Sequence, residues 1–193
     1  MKGIITLIDY SVLPVFSVSP VATNEIAIRQ ATLADARGIA ALVNLGEREG
    51  QLLPRSLESI RADIANWIVA EDNSAPSTLR QNSGHASLRI VGVGSLVEMN
   101  HSLVEVRSLA VAPEYRKFGI GGRIVNALVD EARARGRTTV FALTRAVLFF
   151  EKLGFRITDK ENFPEKVWRD CSICPVQFAC DEVAMVKSVV SRQ

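Results

Sequence analysis

Hydrophobic and polar positions alternate with a period of two in some stretches and three to four in others. IAIRQA from Ile26 alternates and predicts a strand, as does WIVAED from Trp67. RIVGVGSLVEM from Arg89 pairs with the latter, its Gly92 and Gly94 marking a bulge. Val104, Val106, Leu109 and Val111 predict a buried strand, stopped by Pro113, which has no N–H to give a ladder. TTVFALT, FRIT and EVAMVKSVV complete the strands. Helical spacing is found at Ile39, Leu42 and Val43, after the capping box Thr32-x-x-Asp35, with Gly46 as the expected end. Ser56 opens a short helix through Ile64. Ile120, Ile124, Leu128, Val129 and Ala132 form the stripe of a longer one, and AVLFFEKLG is a short helix closed by Gly154. The polar stretch 73–88 reads as a long hairpin connection. This order predicts a mixed α/β domain around one sheet. It begins at Glu25 after an N-terminal extension (1–24) and runs to 193, with a cysteine-containing segment at 164–181.

A length of 193 residues, 48% of them apolar, fits one domain with a substantial core. A net charge of +2 without an aromatic-laced basic run argues against nucleic acid as a partner. Arg133, Arg135 and Arg137 answer the negative end of a helix dipole on a solvated face. No stretch reaches the length of a membrane span. The first 24 residues share features with a signal peptide, but Asp9, Tyr10, Pro14 and Pro20 interrupt the apolar run. A cytoplasmic enzyme with a leader or an extra edge strand is expected. The three cysteines, Cys171, Cys174 and Cys180, do not make a disulfide framework. Their spacing leaves three readings open: zinc ligation with Asp181 or an outside His, reduced packing, or a redox-sensitive pair.

The chemistry concentrates between Arg116 and Gly122. Glycines there admit close approach of backbone to a ligand, and the free N–H groups and dipole of the following helix favour an anion. Arg116 and Lys117 add full positive charge. A phosphate or pyrophosphate cradle is predicted. It is not a Walker loop, because no Gly-Lys-Ser/Thr follows, and the G-x-G-G spacing does not match a dinucleotide fingerprint.

RSLAVAPEYRKFGIGGRIV closely resembles the acyl-CoA motif R/Q-x-x-G-x-G/A of the GNAT superfamily of N-acetyltransferases, here Arg116-x-x-Gly119-x-Gly121. Phe149 to Phe155 resembles that family's F-Y-E-K-L-G-F segment. A narrower similarity, to the acetyltransferase domain of N-acetylglutamate synthases of the short bacterial type, rests on Leu52–Ser56, Glu105-x4-Ala110-Val111, Phe141–Thr144 and Phe163–Lys166. The resemblance implies one mixed, mostly antiparallel sheet flanked by helices, with acetyl-CoA as co-substrate. Coenzyme A would be held by Leu109, Ala110 and Val111 on the strand, by Arg116, Lys117, Phe118, Gly119, Ile120, Gly121 and Gly122 in the loop, and by Phe150 at its thiol end. The implied acceptor is an amino acid, foremost the α-amino group of L-glutamate, as at the start of arginine biosynthesis. Another amine, or a non-catalytic acyl-CoA-binding module, stays open, as does a homodimer.

Acetyl transfer to an ammonium needs a base, a polarised carbonyl and a proton for the leaving thiolate. Period-two spacing puts Glu105, Arg107, Leu109 and Val111 on one strand face. The motif match makes Glu105 the candidate base, against the reading of a carboxylate paired with Arg107. A strand N–H near Leu109 or Val111 is the candidate oxyanion donor. The tyrosine acid used by many family members is replaced by Phe150, and resemblance moves that role to Thr144, which reads equally as a helix cap. Arg55, with Leu53 beside it, is the candidate grip on the acceptor carboxylate. Arg107 and Lys166 are the further substrate-binding candidates. No cysteine falls in the expected pocket, so direct transfer in a ternary complex is anticipated.

Overall fold

Seven strands form one sheet in the computed structural model, which describes residues 25–74, 89–174 and 177–189. They are β1 (Ile26–Gln30), β2 (Trp67–Asp72), β3 (Ile90–Glu98), β4 (Leu103–Val111), β5 (Thr139–Thr144), β6 (Arg156–Thr158) and β7 (Val183–Ser188), ordered β1-β2-β3-β4-β5-β7-β6. Every neighbouring pair is antiparallel except β4 and β5. The helices are α1 (Ala36–Arg48), α2 (Leu57–Ala62), α3 (Ile120–Ala134), α4 (Val147–Lys152) and α5 (Pro164–Arg169). The extension 1–24 and most of the 73–88 connection lie outside the described residues.

The two helical periodicities bury against opposite faces. Ile120, Ile124, Leu128 and Val129 of α3 pack with Val104, Val106 and Val140 on one face. Ile39, Leu42 and Val43 of α1 join Ile60 of α2, Val69 and Val93 on the other. Removing these side chains from water is the main favourable term holding both layers to the sheet. Glycines in β3 set the α3 spacing: a Cβ on Gly94 would lie 2.9 Å from Ile124 Cγ2 and 3.0 Å from Leu128 Cδ1. The predicted capping box is formed, with Thr32 N–H donating to Asp35 at 2.8 Å and Arg29 bonding both Asp35 oxygens.

Two sequence expectations change. Gly46 does not end α1, which continues to Arg48, because the missing side chain leaves room for Leu52; a Cβ there would lie 2.7 Å from Leu52 Cδ1. The Gly46 carbonyl also accepts from the Gln51 and Leu52 amides, which fixes the loop leading to Arg55. The second change concerns β4. Ser95 pairs with Arg107 and Val93 with Ala110, so Ser108 and Leu109 together oppose Gly94 as a bulge, with Ser108 at φ 54°. The extra residue reverses the alternation. Leu109 and Val111 join Val104 and Val106 on the α3 face rather than sharing a face with Glu105 and Arg107.

Candidate active site

Beyond Glu105, β4 and β5 part. Their parallel pairing covers only Leu103–Glu105 against Thr139–Phe141. Past it β4 bends at its bulge, while β5 runs on to Thr144 beside β7. The gap opens a cavity of about 760 Å³. Its walls bring together Glu105, Arg107 and Leu109 of β4, Thr144 at the end of β5, Phe150 of α4, Lys166 of α5, and Leu53 and Arg55 from the loop before α2. An unpaired strand edge can take an extended ligand arm by strand addition, through main-chain groups alone.

The loop ahead of α3 has the geometry of an anion nest. Lys117 and Gly119 both adopt left-handed backbone, at φ 71° and 77°, and Gly119 caps α3 without a side-chain hydrogen bond to the first turn. Open space surrounds the position a Gly119 Cβ would take. Two expectations about side chains are corrected here. Arg116 does not offer a free charge: its guanidinium bonds Glu49 at 2.6 Å and the Val111 carbonyl at 3.0 Å, so it braces the loop. Ile120 is buried in the core, which leaves only its backbone to a ligand. Lys117 and Phe118 are exposed, while Gly121 and Gly122 face Phe149 and Leu153. Ala110 packs on the α1 face and Val111 on the α3 face.

Glu105 is 3% exposed and each of its oxygens accepts from a cation. Arg107 donates to Oε2, with Nε at 2.9 Å, and Lys166 Nζ lies 3.0 Å from Oε1. The expected pairing with Arg107 is therefore present, with Lys166 added. Arg107 and Lys166 also both bond Asp170, at the end of α5. Burial would raise the Asp170 carboxyl, but Arg107, then Lys166 and Arg169, hold it well below the ordinary carboxylate range.

Arg55 differs from these cations. Among the described residues no carboxylate lies within ion-pairing distance of it. Burial, and then repulsion from Arg107, push its guanidinium below its ordinary value, against the weaker pull of Glu105, Asp170 and Asp63. A half-buried cation without a partner is an electrostatic invitation to a carboxylate. A second cavity of about 580 Å³ meets the first, and Arg55, Arg107 and Asp170 line both.

Thr144 Oγ1 accepts from the Ala146 amide at 2.9 Å, which closes a turn ahead of α4; Ala146 and not Thr144 stands at the helix cap, and the Thr144 hydroxyl proton is left to donate. The sequence reading missed Glu182 and Asp170, both of which line the main cavity. Burial pushes the Glu182 carboxyl up, and its Oε2 accepts from the Cys180 thiol, with Sγ at 4.0 Å. An acidic residue just before a strand was the only signal for it. Cys174 also lines the cavity, which corrects the expectation that no cysteine would. The three cysteines are free thiols, and the described residues contain no group of three or more His, Cys, Asp or Glu placed to hold a metal ion, contrary to the zinc reading. Burial pushes the Cys171 thiol up, away from reactivity. No helix among the described residues is long and apolar enough to cross a membrane.

Comparison with known proteins adds four findings. The model of the acetyltransferase (GNAT) family matches residues 45–155. An uncharacterized N-acetyltransferase of Chlorobaculum tepidum is 36% identical over 162 residues, covering 84% of this chain and 96% of that protein. An amino-acid acetyltransferase of Mannheimia succiniciproducens is 29% identical over 145 residues, covering 74% of this chain but 30% of its own length. Among solved structures, N-acetylglutamate synthase from Neisseria gonorrhoeae, complexed with coenzyme A and N-acetyl-glutamate, superposes with a TM-score of 0.70 at 26% identity. It is matched over 86% of this chain and 35% of its own. The chain thus spans about a third of the length of these last two relatives.

Proposed function

The chain belongs to the GNAT family of acetyltransferases, as an acetyl-CoA-dependent N-acetyltransferase, and from that premise we propose that its acceptor is the α-amino group of an amino acid, foremost L-glutamate. In this reading residues 25–193 form one catalytic domain, and the reaction is the one that opens arginine biosynthesis. The observation that carries it is Arg55, a cation with no carboxylate in ion-pairing distance among the described residues, in the wall of the cavity that also holds Glu105 and Thr144. An α-carboxylate is the group such a guanidinium binds best, in bidentate fashion.

Acetyl-CoA would lie with its pyrophosphate on the amides of residues 116–122 and its pantetheine arm along the open β4 edge. The left-handed backbone at Lys117 and Gly119 and the free edge past Glu105 suit that pose. It supplies the activated acetyl group; the chain supplies orientation and proton handling. With Arg55 on the α-carboxylate, the acceptor ammonium faces Glu105, which receives its proton directly or through water. The freed amine attacks the thioester carbonyl, whose developing charge is met by a main-chain N–H near the β4 bulge. The C–S bond then breaks, and the thiolate takes the second proton, which the attacking nitrogen sheds, relayed through the Thr144 hydroxyl or water so that the hydroxyl is regenerated. Transfer is direct, without an acetyl-enzyme.

Thiol release from acetyl-CoA, measured over the common amino acids, two polyamines and a short peptide, tests this reading. L-Glutamate or its side-chain amide, L-glutamine, is expected to give the fastest release. Release confined to the polyamines or the peptide would reject it.

A further inference from the structure

Four side chains around the acceptor end of the cavity close a ring of alternating charge. Arg107 bonds Glu105 and Asp170; Lys166 lies 3.0 Å from Glu105 and 3.2 Å from Asp170. Half the ring comes from β4 and half from α5, where Lys166 and Asp170 stand one turn apart. The ring sums to zero charge, so both of its cations are already paired.

The two carboxylates in the ring are not equivalent. The Glu105 side chain is 4% exposed and enclosed by both cations, whereas that of Asp170 is 28% exposed and lines both cavities. Asp170 also keeps a cation if it leaves the ring: Arg169, 44% exposed, already bonds it at 3.3 Å. An amino acid held through its α-carboxylate by Arg55 directs its side chain toward this ring. A neutral amide there can hydrogen-bond to the ring as it stands. A second carboxylate meets Asp170, a like charge, on the cations it needs.

We propose that Asp170 is an internal stand-in for the acceptor's second carboxylate and the specificity-determining residue between acidic and amide side chains. An acidic side chain binds by exchange, taking Arg107 and Lys166 as Asp170 turns to Arg169. This rests on the amino-acid acceptor reading above. Because Asp170 is held ionised by its cationic neighbours, lowering the pH within the working range does not relieve the competition.

The test is the ratio of kcat/KM for L-glutamate to that for L-glutamine in the wild type, Asp170→Asn and Asp170→Glu. Asp170→Asn is expected to raise the ratio about tenfold or more, since it removes a like charge from the cations that the side-chain carboxylate needs, and Asp170→Glu to restore it toward the wild-type value. A residue that merely held α5 in place would lower both rates alike, and an unchanged or lowered ratio in Asp170→Asn overturns the proposal. If Asp170→Asn does not fold, wild-type crystals with coenzyme A and either N-acetylated product decide instead. Asp170 should leave Arg107 and Lys166 only when the product carries a side-chain carboxylate; finding it on both cations in both complexes overturns the proposal. A wild type that acetylates neither amino acid rejects the acceptor reading itself, and this proposal with it. Turnover of both with an unchanged ratio rejects the Asp170 role alone.

Discussion

Replacing Arg55 by alanine separates the acceptor grip from everything else in the cavity. In the free protein Arg55 stabilises little. It has no carboxylate within ion-pairing distance among the described residues, it is half-buried, and Arg107 repels it. Truncation therefore leaves no orphaned acid behind, and the melting temperature should stay the same or rise slightly. With the acceptor bound, the balance reverses. A bidentate guanidinium–carboxylate contact is worth roughly 1.5–3 kcal/mol, so its loss should raise the acceptor KM by about 10- to 150-fold. The KM for acetyl-CoA should change by less than about twofold, because this reading sets Arg55 against the acceptor and not among the residues assigned to coenzyme A. Steady-state rates with each substrate varied in turn, together with a thermal melt, supply all three quantities. Equal rises in both KM values, or a clear loss of thermal stability, would refute the reasoning and make Arg55 a structural residue.

Three further outcomes follow from the geometry. Glu105→Gln should lower kcat by roughly 10²-fold or more near neutral pH and by less at high pH, where free amine is abundant. If Glu182→Gln flattens the pH profile instead, the base is the carboxyl that burial pushes up. Initial rates with both substrates varied should give intersecting lines; parallel lines would mean an acetyl-enzyme, for which Cys174 in the cavity wall is the candidate. Asp35 is buried, which alone would raise its carboxyl, but its hydrogen bonds from Arg29 and Thr32 hold it below the ordinary value. Its contribution to stability is thus complete above the unfolded-state value of about 4 and lost as pH falls through the lower folded-state value. Urea midpoints measured below about pH 4 should fall less steeply in Asp35→Asn than in the wild type. Identical slopes would remove the Arg29–Asp35 pair from the account.

Much of this architecture was legible where the chemistry is local. The glycine loop ahead of α3, the α3 stripe, the Thr32–Asp35 box and the Ser56 cap each depend on neighbours within a few residues, and each is where the pattern put it. Period-two reasoning held along β4 up to Arg107 and failed at Ser108. The bulge there answers Gly94 on the adjacent strand, a partner that spacing within β4 does not reveal. The ring around Glu105 was half visible: Arg107 is two residues away, but Lys166 and Asp170 arrive on α5, a short helix whose place depends on long-range packing. The same holds for Arg116, whose positive charge is plain in the sequence while the Glu49 that neutralises it lies far away along the chain. Charged residues announce themselves in a sequence; their partners do not.

The most direct measurement is the rate of coenzyme A thiol release with L-glutamate, set against the same amino acid with its α-carboxylate converted to the amide. A carboxylate gripped by Arg55 predicts at least a tenfold loss of kcat/KM on that conversion. Equal rates for the two, or release with polyamines and none with glutamate, would contradict the account at its centre.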